Sequence, residues 1–93
     1  MIIQGKVKII RNPDDYCKIK STVVIVARNT TPDIVMVMDK VAGIITEVDN
    51  KFCHAAIIAR EYDIPLAMGC EKATKRFKNG ESVFLRVRHN KII

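Results

Sequence analysis

Tryptophan is absent from this sequence, and its only aromatics are two tyrosines and three phenylalanines. They form no repeated stacking pattern of the kind that single-stranded nucleic acid requires. Long apolar runs are also missing. The longest, such as VVIVA at 23–27, are strand-sized and fall far short of the roughly 20 residues of a membrane span. The N-terminus lacks the basic lead-in, apolar segment and small-residue cleavage site of a secretory signal. A soluble, cytoplasmic protein is the expectation. Cysteine is scarce and odd in number. Cys17, Cys53 and Cys70 show no CxxC spacing, which argues against both a disulfide framework and a zinc site. Three reduced, mostly buried thiols are expected. Nothing resembles a glycine-rich nucleotide loop.

What is present points to a small folded domain. Hydrophobic residues make up 48% of the chain, too many for a disordered one. The 93 residues leave room for one domain, 1–93, with a modest core. The net charge is +6, but the cations are spread from Lys6 and Lys8 to Arg88 and Lys91. Even the densest group, Lys72, Lys75, Arg76 and Lys78, reads as a solvated surface suited to anionic partners rather than as a nucleic-acid interface.

Periodicity predicts strands and short helices in alternation. IIQGKVKII alternates as a strand, with Val7 and Ile9 on one side and Lys6 and Lys8 on the other. NPDD at 12–15 is a turn. VVIVA at 23–27 is a buried strand. TTPD opens a helix to about Lys40, with Thr31 as cap and Pro32 in the first position. GIITE at 43–47 and LAMG at 66–69 are strands, and EKATKRFK at 71–78 is a helix. Asn79-Gly80 turns the chain into the strand SVFLRVR, and His89-Asn90 turns it again into a terminal KII strand. The fold class is α/β, a small mixed sheet or partly open barrel with short helices.

One stretch carries chemistry. In residues 43–69, GIITEVDNKFCHAAIIAREYDIPLAMG, a strand ends, a polar loop turns, and His54 opens a helix. The first amides of a helix lack internal partners and carry partial positive charge, which makes the terminus an anion site. A free imidazole titrates near 6.5 and is a competent nucleophile at neutral pH. Read alone, such a histidine more often fills a partly exposed capping position.

The wording of the segment resembles the signature around the phosphorylated histidine of phosphoenolpyruvate-utilising enzymes: pyruvate phosphate dikinase, phosphoenolpyruvate synthase and Enzyme I of the sugar phosphotransferase system. That signature runs G-I-V-T-E-x-G-G-x-T-S-H-A-A-I-x-A-R-E-x-x-I-P-A-V-x-G. Gly43, Thr46 and Glu47 match its start. His54, Ala55, Ala56, Ile57, Ala59, Arg60 and Glu61 match its centre, and Ile64, Pro65 and Gly69 its end. Ala73-Thr74, Asn79-Gly80 and Val83 continue the likeness, and TTPD at 30–33 resembles an upstream T-x-P-D segment.

The resemblance implies a swivelling phosphohistidine domain with His54 as the carrier. Thr46, Asn50, Cys53, Ala55 and Arg60 would support the phosphate site. It also implies two partners, an ATP-grasp nucleotide-binding domain or protein and a phosphoenolpyruvate- or pyruvate-binding one. The donor, ATP or phosphoenolpyruvate, would be held by a partner, with no cofactor bound directly. The nitrogen farther from the backbone is the one the resemblance favours for modification. No turnover is expected without partner domains, whether the chain is free-standing or a fragment.

Four positions before the histidine depart from the signature. Asp49-Asn50 replaces Gly-Gly, and Phe52-Cys53 replaces Thr-Ser. Asn and Asp tolerate a left-handed backbone better than other non-glycine residues, so the loop shape can survive. A carboxylate about 4 Å from phosphoryl charge costs roughly 1–4 kcal/mol per unit charge in a partly exposed setting. Cys53 is a poorer cap than serine. It also invites a thiol-nucleophile reading, for which no third, orienting residue can be named. Two functions follow: a divergent carrier, or a domain that keeps the fold, is not phosphorylated, and serves as a binding or regulatory module.

Overall fold

The computed structural model describes residues 1–50 and 53–93. Lys51 and Phe52, including the Phe52 departure, lie outside the described residues. Six strands form one mixed sheet: β1 (Ile2–Ile10), β2 (Val23–Ala27), β3 (Val41–Thr46), β4 (Leu66–Ala67), β5 (Ser82–Arg88) and β6 (Lys91–Ile92). Their order is β4-β3-β2-β1-β5-β6. The strands β1 to β4 run parallel, and β5 joins β1 antiparallel, with Gly5 opposite Val83. The β5–β6 hairpin turns through His89 and Asn90, both at positive φ (52° and 62°). Left-handed backbone at both central residues matches the right-handed twist of the strands they join. The Met68 amide donates to Asn90 O at 2.7 Å, drawing the end of β4 toward this turn. The sheet is thereby bent into a nearly closed barrel.

Strand burial explains why the central strands are apolar on both sides. From β2, Ile25 and Ala27 face one cluster, while Val24 and Val26 face another. The first cluster holds Ile44, Leu66 and the inner face of α1 (His54–Glu61). The second holds Val7, Ile9, Ile45, Val87 and Ala73 of α2 (Ala73–Arg76). The expected sides of β1 hold as well, since Lys6 and Lys8 stay partly exposed.

Several local expectations change. NPDD is more than a turn: it opens a 3₁₀ helix, Pro13–Lys18, through a reciprocal capping box between Asn12 and Asp15. The helix after TTPD is 3₁₀ over Pro32–Lys40, and Thr31 makes no side-chain cap bond among the described residues. Its hydroxyl instead lies 3.5 Å from the Asp33 carboxylate. The β-branched body, IVMVM, is poor α-helix material and buries only Ile34 and Met38. α2 is a single turn rather than 71–78, because Lys72 enters it left-handed (φ 57°) and Phe77 leaves it extended. β4 stops at Ala67, and Gly69 turns left-handed (φ 67°). Finally, Cys53 is buried but Cys17 is exposed and Cys70 half-buried, so the thiols are not mostly buried.

Candidate functional site

The parallel strands β2, β3 and β4 deliver their carboxyl ends to one edge of the sheet, where ligands of open α/β sheets bind. Three loops converge there. Glu47 N donates to Ala27 O (3.1 Å) and Val48 N to Arg28 O (3.0 Å), joining the first loop to the second. Gly69 N donates to Val48 O (3.1 Å) and Cys70 N to Thr46 O (3.0 Å), joining the second to the third.

His54 stands on this edge as the first residue of α1. The amides of His54, Ala55 and Ala56 precede the first intrahelical bond, from Ile57 N to Cys53 O (3.2 Å). They are therefore the amides that carry the positive end of the helix dipole. The imidazole is partly exposed and its Nδ1 lies 3.1 Å from Thr30 Oγ1. Thr30 itself is 5% exposed, and its amide donates to Asn29 Oδ1 at 2.9 Å. The contact engages Nδ1, the ring nitrogen nearer the backbone. Thr30 was not among the residues singled out from sequence, although it begins the TTPD likeness.

The other sequence candidates divide by location. Thr46 is fully buried and donates its hydroxyl to Val48 O at 2.9 Å, which shapes the loop from beneath. The carbonyl of Asn50 accepts from Cys53 N at 2.9 Å, one turn before the helix. Cys53 is the N-cap, but among the described residues its thiol makes no cap bond; it points to Met68 Sδ, 3.9 Å away, in the core. Ala55 is fully buried and allows α1 to approach β3 closely. Arg60 lies six residues along α1, roughly 9 Å down its axis from His54. It is exposed there and lines a shallow depression with Met1, Asp63 and Asn90. The fold does not bring it to the imidazole by any contact among the described residues.

Charge at the edge is arranged by pairs. The Lys91 ammonium from β6 forms an ion pair with Asp49 Oδ2. Glu47 Oε2 accepts from the Thr74 amide (2.9 Å) and from its hydroxyl (2.7 Å). These two bonds, led by the one from the amide, hold the Glu47 carboxyl below its ordinary pKa. The matched residues Glu47 and Thr74 thus meet in space, with a carboxylate at the first turn of α2. Among the described residues, no group of three His, Cys, Asp or Glu is placed to hold a metal ion. None of their helices is long and apolar enough to cross a membrane.

The chain is similar to known proteins over most of its length. The family described as PEP-utilising enzyme, mobile domain, matches residues 19–89. The phosphoenolpyruvate synthase of Escherichia coli K12 is 43% identical over 79 residues, and that of Neisseria meningitidis serogroup B is 41% identical over 80. These alignments cover 85% and 86% of this chain but 10% of each synthase, so the chain spans about a tenth of the relatives' length. A solution structure of an Enzyme I protein superimposes with a TM-score of 0.64 at 31% identity. It covers 81% of this chain and 31% of the other.

Proposed function

The chain belongs to the mobile-domain family of phosphoenolpyruvate-utilising enzymes, and on that footing we propose that it is a phosphohistidine carrier with His54 as the acceptor. The observation that carries this reading is the 3.1 Å contact between Thr30 Oγ1 and His54 Nδ1 at the opening of α1. A proton on Nδ1, donated to the Thr30 oxygen, leaves the Nε2 lone pair free to attack phosphorus. The Nε2–P bond forms as the bond from phosphorus to the donor's leaving oxygen breaks. The first amides of α1 then supply partial positive charge to the transferred group. Thr46 and the Asn50 carbonyl hold the loop, and Ala55 lets the helix seat on the sheet. Arg60, at the far end of α1, suits a role in meeting a partner.

This chain supplies the carrier, and separate domains or proteins supply the rest. The donor is ATP held by an ATP-grasp partner or phosphoenolpyruvate held by a barrel-type partner, and the two exchange phosphoryl groups through His54. A second reading is favoured by one specific feature, the Asp49 carboxylate in the phosphate loop. In it the domain is not phosphorylated and acts as a binding or regulatory module.

Incubation with host extract and either ATP or phosphoenolpyruvate, followed by intact mass at basic pH, tests the first reading. One phosphoryl mass is expected, lost in acid and absent from His54→Ala. No gain with either donor, while a family enzyme labels in parallel, would leave the binding module.

A further inference from the structure

The loop that leads to His54 carries a carboxylate, Asp49, where bound phosphate would be repelled by it. The fold sets a cation against that carboxylate. Lys91, in β6, pairs with Asp49 Oδ2, and its ammonium is also 3.4 Å from Met68 O. Met68 in turn contacts the thiol of Cys53, the residue directly before His54. Gly69 completes the contact. A Cβ at this left-handed position would stand 2.7 Å from Lys91 Nζ and 3.0 Å from Asp49 Cβ. The ion pair is therefore seated on the end of β4, where it ties the loop that leads to His54 to the turn at Gly69. Lys91 lies outside residues 19–89, the stretch that carries the family match.

We propose that Lys91 is a positioning residue of the His54 site: it cancels the charge of Asp49 and straps the phosphate loop to β4, so that the imidazole can hold a dianionic group. The assignment rests on the carrier reading for its purpose, but its test does not need the natural partners.

Phosphoramidate transfers its phosphoryl group to imidazole directly. The Nε2–P bond forms, the P–N bond breaks, the nitrogen leaves as ammonia, and the ring proton passes to solvent. Initial rates would be read by intact mass at basic pH for the wild type, Lys91→Ala, Lys91→Arg, Asp49→Asn and the Lys91→Ala/Asp49→Asn double variant. His54→Ala gives the background, and thermal unfolding is followed in parallel. Loss of the cation that offsets Asp49, in a pair whose side chains are 50% and 57% exposed, is expected to slow Lys91→Ala about threefold. Lys91→Arg should stay near wild type, and the double variant should recover to within about twofold of Asp49→Asn. Asp49→Asn alone should react at least as fast as wild type, which keeps the test open should Lys91→Ala fold poorly. Equal rates for Lys91→Ala and wild type would overturn the assignment. So would a folded double variant as slow as Lys91→Ala, or an Asp49→Asn slower than wild type. Should extract and both natural donors fail to label the wild type while this series behaves as described, the relay reading falls and the assignment of Lys91 stands.

Discussion

Helix α1 and the loop that precedes it carry the same motif under different physical constraints. The inner face of α1, Ala55, Ala56, Ile58 and Ala59, is at most 5% exposed and packs on the sheet. A larger side chain there has no space, whatever chemistry the domain performs. In the loop, Asp49 and Asn50 are exposed, and Asp49 pairs with a lysine from a distant strand. The loop's constraints are backbone direction and charge, and these can be met by different residues. The lesson is that the residues that seat α1 and those that shape the loop before it are separable, so one set can change while the other stays.

Breaking the packed side should give the largest effect. Ala55→Leu inserts three carbons into a fully buried site and is expected to cost about 1–3 kcal/mol. Urea unfolding would show a lower midpoint with an unchanged slope, and phosphorylation of the folded fraction should persist. On the chemical side, Thr30→Val keeps shape but removes the partner of Nδ1. The rate of His54 phosphorylation should fall about tenfold, the worth of one hydrogen bond of about 1.4 kcal/mol, with little change in fold. An unchanged rate would remove Thr30 from the site.

The smallest effect tests a contact that belongs to structure alone. Glu47→Gln weakens the bonds to Thr74 and should cost about 0.5–1 kcal/mol at pH 7, measured by denaturation. Because the folded carboxyl titrates below its ordinary value, its contribution is present above that value and lost as pH falls through the folded one. The gap between wild type and variant should therefore narrow as pH falls below the ordinary glutamate value and close once it passes the folded one. A gap that persists in acid would assign the stability to shape rather than charge.

Much of this was legible in the chain. The alternation of β1, the five apolar residues of β2, the helix opening at His54 and the His89-Asn90 turn follow from short-range sterics and burial period, which neighbouring residues control. Helix type was less legible. IVMVM carries start signals shared by α and 3₁₀ helices, and the choice depends on how Ile34 and Met38 reach the core. The lengths of α2 and β4 turned on the left-handed conformations of Lys72 and Gly69, which only packing demands.

For the site, the sequence by itself determined the candidate histidine, its place at a helix opening and the family to which the chain belongs. Those are properties of contiguous residues. Tertiary structure alone decided which atoms meet His54 and its loop. Thr30 is 24 positions from His54, and Lys91 is 42 from Asp49. Arg60, only six residues away, points its chemistry elsewhere because a helix carries it to the other end. Separation along a chain sets no distance in space; the parallel sheet, by gathering the ends of β2, β3 and β4 at one edge, does.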